Sequence, residues 1–553
     1  MARLKYNFTW KKYHRWLGLV LSVFMLVFCV SGIILNHREV FSGCEVSRKW
    51  LPASYHIKNF NNGVVKGTVV KNSGSLAISE GFSDSILVYG CAGVFLTDYQ
   101  LSTWQDFNAG LPKSIDERNV RHLVQARDGS LWCAALRDVY RYDENAQQWK
   151  KVELPGNEER IMDVALAKDS MTVVALTRSR VFTIVPFVQY GEIVKIGKSS
   201  SETYRVESKI IPAPKKYEPK TTLFKLVWHL HSGEFFGLPG KLVVDAIALV
   251  LIVLSITGIL LFILPYGIRR AKKLAAKARM KRLGKQFAWN MKWHNKIGYV
   301  TIVLTLWIAI TGMCLRPPLM VPLVLSKLPQ AVGEDGNVWQ DKLRAIRWDA
   351  VQGDWLVSTS EGFLRVDEDF SQAPKMLPDD ECPKLSPMGV TVWESDGKGG
   401  WIVGSFRGIY RWNPVKHKSQ ILDYFTNEPC VETSMIPISD NLICGYSEDL
   451  FDREPMVFDF AKGVEDAKGQ VINILDEKDA MSDLICETAP MSLWNVALEL
   501  HVGRCYSPFL GPLSDLFVFL SGLLITLVLL SGYIISHRRR KKAQARLKLN
   551  LML

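Results

Sequence analysis

The residues best suited to chemistry in this 553-residue chain are its ten histidines, because seven of them flank apolar runs. His14 heads "KKYHRWLGLVLSVFMLVFCVSGIILNH" and His37 closes it. His294 heads the similar "MKWHNKIGYVTIVLTLWIAITGMCL". In both stretches one glycine follows four residues after the histidine (Gly18, Gly298) and another eighteen after it (Gly32, Gly312). A second motif, "TLFKLVWHLHSGE", holds His229 and His231 and aligns with "SLWNVALELHVGR", which holds His501. Imidazole is the commonest metal ligand. Two imidazoles facing each other across a bundle axis can supply the fifth and sixth ligands of a haem iron. Duplicated histidines come in equivalent pairs about such an axis, His14 with His294 and His231 with His501. Two pairs at two depths imply two haems. Taken singly, an interfacial histidine can instead snorkel or cap a helix end. His37 and His229 lack counterparts, since Pro317, Pro318 and Glu499 fill the matching regions, and they are second choices as ligands.

The glycines fit the same chemistry. Eighteen residues are five full turns, so Gly32 lies on the face of His14, about 27 Å along the axis, and Gly312 relates to His294 in the same way. A glycine on that stripe lets a flat macrocycle press against backbone, Gly18 and Gly298 at an inner site and Gly32 and Gly312 at an outer one. The alternative is plain close packing of membrane helices, which also favours glycine.

Helices that cross a membrane must position these residues. The apolar runs Leu17–Leu35, Leu242–Leu264, Ile297–Leu315 and Leu516–Ile535 each approach the ~20 residues needed for a span. The first lacks a signal-peptidase-type site and reads as an uncleaved anchor. The net charge is +13, yet residues 1–16, 267–296 and 537–553 alone carry 23 Lys/Arg and no acid, which leaves −10 on the rest. Basic runs beside apolar spans mark the cytoplasmic side and argue against a nucleic-acid partner. The expected order is a cytoplasmic tail 1–16, span 17–36, outer segment 37–230, outer-edge motif and span 231–265, and basic cytoplasmic loop 266–296. Span 297–315, outer segment 316–500, outer-edge motif and span 501–536, and tail 537–553 complete it. The large segments face outward, in a bacterium to the periplasm. Eight cysteines lie there without C-x-x-C or zinc spacing. Most read as buried thiols, with room for one or two disulfides.

The second half of the chain echoes the first at an offset near 270. "ILVYGCAGVFLTD" answers "WLVSTSEGFLRVD", and "DGSLWCAALRDVYRY" answers "DGKGGWIVGSFRGIYRW", with Tyr140 on Tyr410. "MTVVALTRSRVF" answers "LICGYSEDLF" more faintly. Both copies run in-out-in, so they are parallel repeats about an axis along the membrane normal. The outer segments alternate apolar and polar residues between Asp-Gly turns, the mark of short strands. About three blade-like units per segment are too few to close a ring, while six suffice. The expected fold class is therefore a four-helix membrane protein built as two parallel repeats, with two β-rich outer segments forming one composite propeller of about six blades. Two separate small β-domains are the alternative.

"KYHRWLGLVLSVFMLVFCVSGIILNH" and "WHLHSGEFFGLPGKLVVDAIALVLIVLSITGILL" resemble the PepSY-associated transmembrane family, which includes bacterial inner-membrane haem proteins implicated in reducing ferric siderophores. The resemblance covers all four spans, in the order H-x-x-x-G…S/T-G and then L-H-x-G…D. It is degenerate in the second half, where "HVGRCYSPFLGP" replaces "HSGEFFGLPG", and it does not reach the outer segments. It implies b-type haem at His14, His231, His294 and His501, and electron flow from inside to outside.

The function expected is a transmembrane di-haem oxidoreductase, a haem-dependent ferric reductase in the inner membrane. Its partners are the lipid bilayer and a periplasmic acceptor such as a ferric chelate, met at the ring's central channel or beneath it. The short basic cytoplasmic segments carry no strand–G-x-G-x-x-G–helix unit, so the donor is a separate reductase or a quinol. The alternative is a non-enzymatic receptor or sensor whose outer domain binds a ligand. The absence of an output domain counts against it.

Overall fold

The computed structural model describes residues 2–71, 85–189, 192–193, 204–332, 335–386, 388–415, 420–430, 441–472, 485 and 489–552. Cys486 and His417 lie outside them. The chain forms two compact units: one of Met1–Phe41, Lys220–Gln330 and Leu493–Leu553, the other of Ser42–Pro219 and Ala331–Ser492.

The first unit is helical. Helix α1 covers Ala2–Asn36. A short α2, Leu223–Ser232, is capped at its start by the Thr222 hydroxyl, which accepts from the Lys225 amide, and ends at Gly233 in the left-handed region. Helix α3 runs over Gly237–Lys273, straight through Pro265. Helices α4 (Lys277–Val300) and α5 (Ile302–Cys314) follow, then a short α6 (Leu493–His501) and the long α7 (Ser514–Met552). The segment expected as a basic loop, 266–296, is thus almost wholly helical, and both basic tails continue their membrane helices. Arg, Lys, Ala and Leu, which fill these stretches, are strong helix formers.

Among the described residues three helices are long and apolar enough to cross a membrane, Trp10–Asn36, Glu234–Lys273 and Arg504–Arg546, and a bent pair makes a fourth if it counts as one span. This is a multi-pass membrane protein. The span expected at Ile297–Leu315 is not one straight helix, because α4 and α5 meet at a 69° bend. The cause is local. Val300, Thr301, Ile302 and Val303 are a run of β-branched residues, which lose χ1 freedom in a helix. The Thr301 hydroxyl also bonds back to the Ile297 carbonyl at 2.9 Å, and Thr305 to the carbonyls of Thr301 and Ile302 at 3.1 Å. Such back-bonding bends helices.

The second unit is built from antiparallel sheets. Six of them follow the chain as meanders whose strands pair in sequence order. Their first strands are Gly67–Lys71, His122–Gln125, Ile161–Leu166, Leu343–Asp349, Val392–Ser395 and Ile443–Ser447. Three sheets come from each segment. Their middle strands are apolar on both faces, and alternate residues enter different cores. Ile86 and Val88 pack with Phe458 and Val464 of the sixth sheet, whereas Leu87 and Tyr89 pack with Leu123 and Trp149 of the second. Trp132 of the second sheet joins Val164 and Ala175 of the third. Val174 and Leu176 of the third join Ile346 and Trp355 of the fourth. Leu356 and Phe363 of the fourth join Trp393 and Val403 of the fifth, and Ile402 and Ile409 of the fifth join Ile443 and Val457 of the sixth. Each sheet therefore shares a core with the next, and the sixth with the first. The nine cysteines described are free thiols, four of them buried.

The first strands carry polar side chains into a shared network. Asp163 accepts from Arg347 at 2.6 Å and from the Ile346 amide at 3.0 Å, and lies 3.3 Å from His122. Arg347 also donates to the Trp393 carbonyl at 2.9 Å. Thr68 bonds Ser447 at 2.8 Å and donates to Asp449 at 2.6 Å. Burial works against ionisation of Asp163, but Arg347, His122 and the Ile346 amide outweigh it and hold the carboxyl below the usual range. Its stabilising contribution is complete above the ordinary aspartate pKa of about 4 and is lost as pH falls below it. Asp163→Ala takes from the Arg347 guanidinium its hydrogen-bonded carboxylate and leaves only the more distant Glu394. It is expected to cost the β unit about 3 kcal/mol or more at neutral pH and to shrink its acid sensitivity below pH ~4. Thermal melts of the full chain, followed by tryptophan fluorescence at several pH values, measure both.

Candidate functional site

His14 stands on α1 and His294 on α4, and their ring centroids are 6.4 Å apart. His231 and His501 stand in the last turns of α2 and α6, with centroids 6.2 Å apart. Both lie at the ends of short helices that stop at Gly233 and Gly503, each with positive φ. At Gly233 no side chain fits, since a Cβ would lie 2.3 Å from the Gly240 carbonyl oxygen.

Each ring is held the same way. His14 Nδ1 is 2.9 Å from the Ser531 hydroxyl, His294 Nδ1 2.9 Å from Thr257, His231 Nδ1 3.0 Å from Thr311, and His501 Nδ1 3.0 Å from Ser31. The four hydroxyls already donate to carbonyls of their own helices: Ser531 to Val528, Thr257 to Val253, Thr311 to Trp307 and Ser31 to Val27, at 2.6–2.8 Å. A hydroxyl has one proton, so each must accept from its imidazole. His14 and His501 also face the carbonyls of Val528 and Phe28 at 3.1 Å, which can only accept. Nδ1 therefore carries the proton on all four rings, and Nε2 keeps its lone pair. That is the tautomer a metal-ligating histidine takes, with its other nitrogen tied to the protein.

Every one of these hydroxyls is followed by glycine. A Cβ on Gly312 would lie 2.8 Å from His231 Cε1, one on Gly532 2.9 Å from His14 Cε1, one on Gly32 3.3 Å from His501 Cε1, and one on Gly258 3.6 Å from His294 Cε1. Gly32 and Gly312 thus adjoin the outer pair. Gly18 and Gly298 line the inner cavity, and a Cβ there would meet only Val528 or Leu254, at 3.6 Å. This cavity, of about 360 Å³, includes His14 and His294 in its wall. Metal–imidazole nitrogen distances of about 2 Å put the centroids of two rings that share a metal roughly 6 Å apart. Both pairs have that separation, and each could supply two ligands to a metal whose others come from a flat macrocycle. The glycine cradle and the neighbouring cavity fit such a group at the inner pair.

Of the two second-choice histidines, His37 is engaged by a carboxylate instead. His37 Nε2 sits 2.6 Å from Asp245, which Asn36 also contacts at 3.3 Å. His229 lies beside the Trp228 ring at 5.6 Å. Asp515, the counterpart of Asp245, pairs with Arg316 at 3.4 Å. Sequence reasoning missed the four hydroxyls, along with Gly258 and Gly532. The signal was a Ser/Thr-Gly dipeptide in each apolar stretch: "VSG", "ITG", "ITG" and "LSG".

Apolar helices, half-buried paired imidazoles and a separate β unit define a multi-pass membrane protein with two facing histidine pairs. The chain belongs to the family of the PepSY-associated TM region, which it matches twice, over residues 3–264 and 262–540. No curated protein matches it in sequence. Among solved structures it is similar to the extracellular domains of a one component system and a hybrid two component system, both from B. thetaiotaomicron. These are 8% and 9% identical with TM-scores of 0.30 and 0.31, over 74% and 73% of this chain and 39% of each of theirs. The chain thus spans well under half the length of those two. A yeast Nup82-Nup159-Nup116 nucleoporin complex is 10% identical with a TM-score of 0.26, over 70% of this chain and 83% of that one.

The glycines separate by what a methyl would meet. Gly312→Ala and Gly532→Ala push against rings that cannot retreat from their hydroxyl partners, and each is expected to cost about 1–3 kcal/mol. Gly18→Ala and Gly298→Ala, with ordinary contact distances, should cost little. Thermal stability of the detergent-solubilised variants separates the two sets.

Proposed function

We propose that this protein is a di-haem oxidoreductase of the bacterial inner membrane, with both termini cytoplasmic. It passes electrons from a cytoplasmic reductase or a quinol to a periplasmic acceptor, a ferric chelate. The observation that carries this reading is the pairing of four imidazoles at 6.2–6.4 Å with every Nδ1 proton committed to a hydroxyl. Haem b bound at each pair supplies one-electron chemistry at the iron. The protein's own part is to fix the tautomer, hold the rings across the bundle and keep the walls apolar. A ferric chelate suits such a protein, because an outer-sphere electron needs close approach and no catalytic acid or nucleophile. One electron converts Fe³⁺ to Fe²⁺, which a chelator built for Fe³⁺ holds weakly.

The β unit, in this reading, is one six-bladed composite propeller and the helices are two parallel repeats. The cyclic order of shared cores supports the ring. The repeat is supported by the two family matches and by the sequence echoes, which fall on the first and fourth, second and fifth, and third and sixth sheets.

Purified protein is expected to carry about two haems per chain. His14→Ala or His294→Ala should remove one and His231→Ala or His501→Ala the other, read by pyridine haemochrome and Soret absorbance. Thr257→Val and Ser31→Ala keep the ligand but lose its support, and haem retention should fall about tenfold or more. If all four histidine variants retain full haem, the ligand assignment is wrong. The reaction is tested by reducing the protein with dithionite under argon, removing excess reductant and adding ferric chelates. Haem reoxidation with stoichiometric Fe²⁺ is expected. Reoxidation by a quinone, a copper complex or a disulfide but by no ferric complex would move the acceptor elsewhere.

A further inference from the structure

The inner cavity has two unlike ends. Toward the middle of the helices it is closed by apolar side chains such as Met25, Leu251 and Ile525. Toward the chain termini it is lined by Lys11 and Arg15 of α1 and Arg539 of α7. Lys11 lies about one turn before His14, and Arg539 about 10 Å beyond Gly532, the residue that adjoins His14. The Arg15 guanidinium rests 4.8 Å from the Phe262 ring centroid, and Arg539 Nη1 lies 3.6 Å from Met291 Sδ. Phe262 and Met291 are themselves cavity-lining residues, so both cations are held at its wall. No Asp or Glu lines the cavity among the described residues. Basic tails beside a span follow from topology alone. Topology does not direct three cations from two helices onto one cavity whose other end is greasy. All three cations are exposed at that end, where a bound anion can reach them.

We propose that this basic end is a carboxylate clamp. Lys11, Arg15 and Arg539 receive the two carboxylates at one edge of an iron porphyrin whose apolar body lies in the cavity beside His14 and His294. Arginine's planar fork is suited to carboxylates, and the polarity of the cavity orients the ring. The clamp rests on the haem reading above and adds the orientation and the residues that set it.

The test compares iron protoporphyrin IX with its dimethyl ester, which keeps the ring and the iron but has no charged edge. Each is titrated into haem-depleted full-length protein, with His14→Ala in parallel to isolate the inner pair's share of the absorbance. The free acid is expected to bind the inner pair about tenfold or more tighter than the ester. Arg15→Gln with Arg539→Gln should remove that advantage while ester affinity stays as in the parent, so ester binding also reports that the variant is folded. Equal affinities for acid and ester in the parent would overturn the clamp and leave the haem reading standing; the cations would then serve the bilayer's anionic headgroups. Binding of neither compound by the parent at the inner pair would overturn the haem reading, and the clamp with it.

Discussion

A neutral imidazole inside an apolar bundle must account for both of its nitrogens, since a buried polar atom without a partner costs free energy. The rest of the helical unit depends on how this chain meets that demand at Nδ1. A serine or threonine first gives its own proton to its helix backbone and then presents a lone pair to the ring, and the glycine after it leaves room for the ring edge. Each such contact joins two helices: α1 to α7 through His14, α3 to α4 through His294, α2 to α5 through His231, and α1 to α6 through His501. Sliding any of these helices by one residue would turn the hydroxyl away and bring a side chain where the glycine is. The histidine contacts therefore set the register of the bundle.

The bend between α4 and α5 is informative against that background. On α1, His14 and Ser31 are seventeen residues apart on one continuous helix. On the second copy, His294 and Thr311 are also seventeen residues apart, yet the helix is broken between them at Thr301. The same two contacts are met, His294 with Thr257 and Thr311 with His231. Straightness is thus not what the site requires. The site requires two hydroxyl–imidazole contacts, and the backbone between them can follow its local sequence.

What could be read from the sequence was whatever repeats or accumulates along the chain. The histidine spacing, the basic runs and the apolar stretches are one-dimensional signals, and so are the glycine turns between short alternating runs. The helix that faces a given ring is not such a signal. Ser31, Thr257, Thr311 and Ser531 look like ordinary membrane-helix hydroxyls bonded to their own backbone, which they also are. Their second role exists only once another helix is adjacent. For the same reason the partner of His37 was not legible in the sequence, and only the position of Asp245 supplies it. The helical course of 266–296 was hidden because charge density there dominated the reading, although the residues involved are good helix formers.

The β unit raises the question of why two chain segments, separated by membrane helices, hold together at all. Three sheets from one segment would leave an apolar face bare at each end, so neither segment can bury its own core. The two seams where the segments meet are tied by polar contacts as well as by shared apolar cores. At the third–fourth seam, Arg178 accepts from the amides of Lys342 and Leu343, Asn337 donates to Ser179, the Trp339 indole donates to Ile211, and Asp163 takes Arg347. At the sixth–first seam, the Asn62 amide donates to Phe460, Tyr446 to Lys66 and Val464 to Asn59, while Thr68 bonds Ser447 and Asp449. Apolar burial is non-directional and would tolerate a shifted seam. Buried hydrogen bonds and ion pairs would not, because a slip leaves each of them unpaired. At these two seams, where no short turn joins the sheets, such polar contacts fix the register.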